Sequence, residues 1–533
     1  MNDPDISLSE KENVSQSAGV VGFFTFLSRI LGLVRDMVVA RFFGSGMAAD
    51  AFFVAFRIPN LLRRLFAEGS LTIAFIPVFT EYLNQKTREE AFQLARVILT
   101  LLSSVLVVVT LLGVFFAPWI VRAQAFGFGG SGIKYDLTIL LTRITFPYIL
   151  LISIVALFMG ILNSLRHFAA PAAAPIFLNI GIILSTFWIS PHFFQPIVGV
   201  AVGVLIGGIL QVGLQIPWAF KKGLSILPCW MPDHPAVKRI GLLMLPAIFG
   251  TAIYQFNQFM GTLLASFLAE GSVSWLYYAD RLVQFPLGVF AVAISTAALP
   301  SLSRQAAEKD FDAFRDTLGH ALRLVFFITI PSMAGLIILG RPMIQVFFER
   351  GAFDAFSSTM TARALFLYSL GLWAFSGIRV MVSAFYALQD TKTPVKVAAV
   401  TMAANLIFSL LLMERLKHSG LALALSLASS LQIGLLVFFL KRRIGAWNLR
   451  PIFVTAGRCI LASMVMGLII HYVYQGWWVP DPARGVWHLA THLAALVLIG
   501  AFSYFVVTYI LGCRELASIG SIFKPVLKRF QSG

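Results

Sequence analysis

Long apolar runs separated by short polar segments recur along the whole chain. Val97 to Val121, Ile240 to Ala269 and Gly485 to Cys513 each lack a charge, and roughly 20 apolar residues are enough for a helix to cross the hydrocarbon core of a bilayer. The longest charge-free run, His167 to Phe220, exceeds one crossing, and the Pro191 to Pro196 segment turns the chain to make two. The pattern predicts an all-α polytopic membrane protein of about 14 transmembrane helices. They fall near 18–43, 49–82, 92–121, 138–163, 169–190, 196–220, 238–268, 273–302, 316–338, 359–388, 395–413, 419–440, 452–474 and 487–511.

Landmarks recur along the chain at a nearly constant offset of about 223 to 226 residues. Pro77 matches Pro300, Pro118 matches Pro342, Leu162-Asn163 matches Leu388-Gln389, and Asn179 matches Asn405. Two six-helix lobes follow, 18–222 and 238–443, joined by a proline- and charge-rich connector at 223–237. Six crossings per lobe is an even number, so the repeat is parallel, with its axis along the membrane normal. Residues 444–512 hold two further helices, flanked by a polar N-terminal segment at 1–17 and a basic tail at 513–533.

Composition fits lipid as the main solvent: 58% of the 533 residues are hydrophobic, 12% are charged, and the mean hydropathy is +0.84. The net charge of +17 raises nucleic acid as a partner until the cations are placed. About 21 Lys and Arg fall in inner loops and tails and about 7 in outer loops, which is the positive-inside bias of a membrane protein with both termini in the cytoplasm. Facing anionic lipid explains these clusters, and no nucleic-acid partner is expected. Cys229, Cys459 and Cys513 have neither CxxC nor zinc-site spacing.

Charges inside the predicted spans are the functional candidates, because each costs about 2.5–3.5 kcal/mol at the bilayer centre on insertion scales. The first span carries Arg29, Arg35 and Asp36; the second carries Asp50, Arg57, Arg63, Arg64 and Glu68; the eighth carries Asp280 and Arg281. At 100° per residue Arg29 and Asp36 share one face of their helix. Arg57, Arg63 and Arg64 also fit snorkelling or structural pairing. Pro59 and Gly69 interrupt the second span, as in transporters whose broken helices expose backbone to substrate, although a plain proline kink also accounts for Pro59. Arginines outnumber carboxylates in this set, which predicts a cationic cavity. A guanidinium fork suits phosphate. No HExxH, GxSxG or phosphate-binding loop is present, so no catalytic site and no metal site are predicted.

The strings SRILGLVRDMVVARFFGSGMAADAFFVAFRIPNLLRRLFAEGSLTIAFIPVF, YYADRLVQFPLGVF and FYALQDTKTP resemble the MurJ/MviN family of lipid II flippases, within the multidrug, oligosaccharidyl-lipid and polysaccharide exporter superfamily. The resemblance covers essentially the full length. It implies two six-helix lobes around a hydrated cationic cavity, alternating access, and a groove near the last two helices for the polyprenyl tail. By similarity, Arg29, Arg35 and Arg281 match the family's required arginines, Asp36 their acidic partner, and Asp50 and Arg63 further sensitive positions. The substrate-binding set is thus Arg29, Arg35, Asp36, Asp50, Arg63, Arg64, Glu68 and Arg281. The implied ligand is lipid II, the undecaprenyl-diphosphate-linked disaccharide peptide, in a bacterial cytoplasmic membrane, with membrane lipids and cell-wall synthesis proteins as neighbours. No cofactor is expected; the membrane potential or a monovalent cation would drive transport. Asn257 stands where sodium-binding members are proposed to have an aspartate. Another polyprenyl-diphosphate glycan on the same fold is the alternative cargo, and a membrane-embedded polymerase or phosphatase is the alternative from another class.

Overall fold

The computed structural model describes residues 4–63, 71–477 and 485–517. Its regular elements are helices only. The first nine are α1 (Pro4–Phe43), α2 (Met47–Leu62), α3 (Thr72–Gln85), α4 (Arg88–Phe115), α5 (Ala117–Gln124), α6 (Ile133–Thr145), α7 (Tyr148–Ser164), α8 (Ala169–Trp188) and α9 (Ile197–Lys221). Then come α10 (Pro235–Ser266), α11 (Ser272–Pro286), α12 (Val292–Ala307), α13 (Phe311–Phe347), α14 (Ala355–Ser369), α15 (Leu372–Ala387), α16 (Lys392–Leu416) and α17 (His418–Ile444), with α18 (Arg450–Trp477) and α19 (Gly485–Ile510) last.

Among the described residues, 10 helices are long and apolar enough to cross a membrane, or 11 when α14 and α15, bent by 45°, count as one crossing. The expected spans 18–43, 49–82 and 238–268 are not in that set, since each runs through residues or side chains outside those described. The count covers the described residues only and leaves the expected 14 unconfirmed. Helix α1 begins at Pro4 rather than near 18, because nothing in the polar stretch after Pro4 breaks a helix. Residues 518–533 of the basic tail lie outside the described residues.

The repeat is visible in where helices begin and end. Helices α1 and α10 end at Phe43 and Ser266, α4 and α13 begin at Arg88 and Phe311, α8 and α16 begin at Ala169 and Lys392, and α9 and α17 end at Lys221 and Ile444. Every pair is 223 residues apart. Arg166 and Gln389 hold the same spacing, and both have positive φ, 57° in each case, a conformation uncommon outside glycine. In this loop the structural register is therefore 223, pairing Gln389 with Arg166 rather than with Asn163.

By packing, the chain divides into two compact units, Met1–Ser274 with Gly351–Phe353, and Trp275–Arg350 with Asp354–Gly533. Helix α10, first of the second repeat, belongs to the first unit, where it packs on α3 and α5. Small residues set the closest approach there: a Cβ on Gly181 of α8 would lie 2.6 Å from the Gly207 Cα of α9. Such packing suits helices in lipid, where contact rather than water exclusion drives association. The core of the second unit is formed by residues of α13, α15, α17, α18 and α19, including Phe314, Phe327, Met381, Phe385 and Tyr504.

Candidate functional site

Helix α1 carries its charges into the first unit by packing against α8. Arg35 and Asp36 are buried at 8% and 1% exposure. The Arg35 guanidinium donates from Nε and one terminal nitrogen to Asp36 Oδ1, at 3.0 and 2.7 Å. Its other terminal nitrogen donates to Asn179 Oδ1 at 3.1 Å, and the Asn179 amide donates to the Ser28 carbonyl at 3.2 Å. Both ends of the fork are thus held, by a carboxylate and by an amide that is itself anchored on α1. Arg29 lies on the exposed part of α1.

Asp50, in the first turn of α2, sits 1% exposed among donors. It accepts from Lys134 Nζ at 2.8 Å, the Gly271 amide at 2.8 Å, the Ser274 amide at 2.9 Å and the Ser274 hydroxyl at 2.6 Å. Gly271 and Ser274 flank the start of α11, whose first amides have no partner within the helix, and a carboxylate there also complements the helix dipole. The capping is reciprocal, because the Met47 amide at the start of α2 donates to Glu270 Oε1 at 2.7 Å. The four protein donors occupy the Asp50 carboxylate in this arrangement.

The remaining charges of α2 face other groups of the first unit. Arg57 donates to the Gln258 carbonyl of α10 at 2.9 Å, and Arg63 donates to Asn60 Oδ1 at 3.0 Å. Arg64 and Glu68 lie outside the described residues. Pro59 stays within α2; having no N–H, it leaves the Ala55 carbonyl without its usual helical donor, and the Thr145 hydroxyl lies 3.4 Å from that oxygen.

In the second unit, the half-buried Arg281 donates to the Tyr277 hydroxyl at 3.1 Å, with its guanidinium 5.6 Å from the centre of that ring. Gln284 donates to Asp280 Oδ1 at 3.4 Å. Pro286 then ends α11, and a π-helical turn at Leu287–Ala291 leads into α12. Elsewhere in this unit, α13 and α18 border an open apolar cleft of about 480 Å³, lined by Ile330, Ile337, Met464, Leu468 and His471 among others. Asp390 caps α16 through the Thr393 amide and hydroxyl at 3.0 and 2.7 Å and meets Arg443 at 3.1 Å. Burial pushes the Asp390 carboxyl up, but the Thr393 bonds and the Arg443 charge outweigh it, so its pKa is lowered.

The predicted candidates fall in both units. Arg35 and Asp36 are brought together, Asp50 forms a separate capping site, and Arg281 belongs to the second unit. Sequence reasoning missed Asn179, Lys134 and Gln258 as partners of these charges. Asn179 carried a signal, as the one side-chain amide in a largely apolar α8. Among the described residues, no group of three or more His, Cys, Asp or Glu could hold a metal ion.

A helical repeat built of membrane-length elements defines a polytopic α-helical membrane protein. Similar folds occur in an inward-facing MATE family multidrug transporter of the MOP superfamily, with TM-score 0.66 and 14% identity over 81% of this chain and 98% of that one. The match is higher, with TM-score 0.78, to a structure titled "Lipid II flippase MurJ, inward closed conformation", at 29% identity over 92% of this chain and 98% of that one. The family described as "Lipid II flippase MurJ" matches residues 39–481. Among its curated members, a "Probable lipid II flippase MurJ" from Vibrio cholerae is 38% identical over 94% of this chain and 96% of its own length. A "Lipid II flippase MurJ" from Burkholderia cenocepacia is 36% identical over 94% and 98%. The chain belongs to the MurJ family; it is a multi-pass membrane transporter and not an enzyme.

Proposed function

We propose that this protein translocates lipid II from the inner to the outer leaflet of a bacterial cytoplasmic membrane, with both termini in the cytoplasm. The observation that carries this reading is the near full-length identity to curated lipid II flippases. The two repeats, 18–222 and 238–443, are the bodies that alternate access. Arg29, Arg35 and Arg281 grip the diphosphate in a hydrated cavity while the polyprenyl chain stays in the lipid.

The buried geometry supports a role for Arg35 in particular. Asp36 and Asn179 hold its guanidinium in one orientation, so little side-chain freedom is lost when an anion binds. Asp36 also limits the net charge of the empty site, which makes burial of the arginine tolerable. Asp50 serves the same transport cycle by fixing the start of α11, the helix on which Arg281 stands. No cofactor is needed: moving one negative charge outward across about 100 mV, inside negative, releases roughly 2.3 kcal/mol, and a monovalent cation gradient is the other candidate driver. Cell-wall synthesis enzymes are the natural protein neighbours, as consumers of the product.

The test is replacement of a cell's own lipid II flippase under depletion. This chain should restore outer-leaflet lipid II, and Arg29→Ala, Arg35→Ala and Arg281→Ala should fail while still inserted in the membrane. Restoration by all three variants would remove the arginines from the mechanism, and no restoration by the parent chain would favour another polyprenyl-diphosphate glycan as cargo.

A further inference from the structure

Helix α9 ends at Lys221, and Gly223 follows with φ of 90°, a conformation that turns the chain out of the helix. Residues 223–232, GLSILPCWMP, carry no charge, although Lys221 and Lys222 precede them and Asp233, Lys238 and Arg239 follow. Side chains of α4 hold this connector at successive points. Arg88 donates to the Lys222 carbonyl at 2.6 Å, Arg96 donates to the Leu227 carbonyl at 2.9 Å, and the Thr100 hydroxyl accepts from the Cys229 amide at 2.9 Å. Thr100 donates its own proton to the Arg96 carbonyl at 2.8 Å, which leaves its oxygen to serve the connector. Gln93 then donates to Met231 Sδ at 3.3 Å.

At 1.5 Å per residue, Arg96 and Thr100 stand about 12 and 18 Å along α4 from Arg88. The connector therefore climbs α4 as far as Cys229 and turns back by Met231. Its apex meets α4 where that helix changes character, because Arg88, Glu89, Glu90 and Arg96 all precede the charge-free run that starts at Val97. Backbone at such a depth finds little water, so its partners must come from protein. Arg96 and Thr100 supply them, and Pro228 and Pro232 have no amide to satisfy. With the backbone pinned to α4, Leu227 and Trp230 are each 65% exposed, and Ile226 and Met231 beside them are exposed as well.

We propose that residues 225–231 form a re-entrant interfacial anchor that docks on anionic phospholipid. Leu227 and Trp230 insert at the boundary between headgroups and acyl chains, where tryptophan is favoured. Lys221, Lys222 and Lys238 at the base of the loop hold the anionic headgroups. An apolar tip over a cationic base matches the layering of a leaflet, apolar within and negative at its surface. Assignment to the cytoplasmic leaflet rests on the topology proposed above; the depth of the loop and its lipid contact do not.

The experiment places a spin label at Leu227→Cys of the full chain, with Cys229→Ser, Cys459→Ala and Cys513→Ala, in phospholipid nanodiscs. Collisions with oxygen, which concentrates in lipid, should exceed those with an aqueous nickel chelate by about threefold or more. Dominant nickel collisions would place the loop in water and overturn the anchor; shielding from both reagents would mean a protein covers it, which also overturns the lipid reading. Thr100→Val removes the acceptor of the Cys229 amide and should raise nickel collisions about threefold, with Thr100→Ser restoring the parent value. Unchanged collisions in Thr100→Val would overturn the role of α4 in setting the depth. Replacing zwitterionic lipid by phosphatidylglycerol should raise Tm in the parent chain and leave it unmoved when Lys221, Lys222 and Lys238 are all changed to Gln. An equal rise in both would overturn the headgroup contact.

Discussion

Asp50→Asn is the perturbation whose consequence the geometry fixes most fully. The carboxylate is buried at 1% exposure and the Lys134 side chain beside it at 18%. An asparagine oxygen retains part of the accepting capacity, but the amide nitrogen must face a donor, either Lys134 or one of the α11 amides. The ammonium is then left in a poorly hydrated site without its counter-charge. Breaking a buried pair by removing one partner costs about 3–5 kcal/mol, and loss of the helix-end interaction adds up to about 1 kcal/mol. The sum is a severe destabilisation, visible as a fall in Tm of several degrees in thermal denaturation of detergent-purified protein. Lys134→Met on top of Asp50→Asn removes the stranded ammonium and should recover at least half of the loss. If Asp50→Asn costs less than about 0.5 kcal/mol, the range of ordinary surface changes, or if the second substitution recovers nothing, the ion-pair reasoning is refuted.

Three further outcomes follow from the same geometry. Asn179→Leu removes the acceptor of one Arg35 nitrogen and the second donor to the Ser28 carbonyl, and should cost about 1–3 kcal/mol by thermal denaturation while lowering transport; unchanged transport would show that Asn179 has no part in orienting Arg35. Arg35→Lys keeps the charge but loses the fork that reaches Asp36 and Asn179 together, so it should behave like Arg35→Ala in depletion-rescue assays, and full rescue by lysine would show that charge alone suffices. Asp390 has a lowered folded pKa, so its contribution to stability is present above the ordinary carboxylate value and is lost only as pH falls below about 4 through the folded value. Comparing the pH dependence of Tm in wild type and Asp390→Asn checks this, and identical profiles would contradict it.

The fold was legible because lipid makes hydropathy decisive: runs such as Gly485 to Cys513 admit no other reading. The repeat was legible from prolines and turn residues, which mark breaks that apolar residues do not. Its register was less so: Asn163 and Gln389 are similar polar residues before a loop, and only the shared left-handed backbone of Arg166 and Gln389 fixes the pairing at 223. Span ends were harder still, because a polar helix such as the start of α1 continues without an apolar signal. Among the site residues, charge at membrane depth singled out Arg35, Asp36 and Asp50 as candidates for the lining of a hydrated cavity, and the structure buries all three. The sequence could not show what each would meet, because Asn179, Lys134 and Ser274 are distant along the chain and chemically ordinary.

The central claim, that guanidinium groups within these helices grip a lipid diphosphate for transfer, is tested most directly with purified protein in vesicles carrying lipid II on one leaflet. A probe that modifies the head group only on the opposite leaflet should report rapid appearance with wild-type protein and background levels with Arg29→Ala, Arg35→Ala and Arg281→Ala, each verified as folded. Wild-type rates in these three variants would contradict the account.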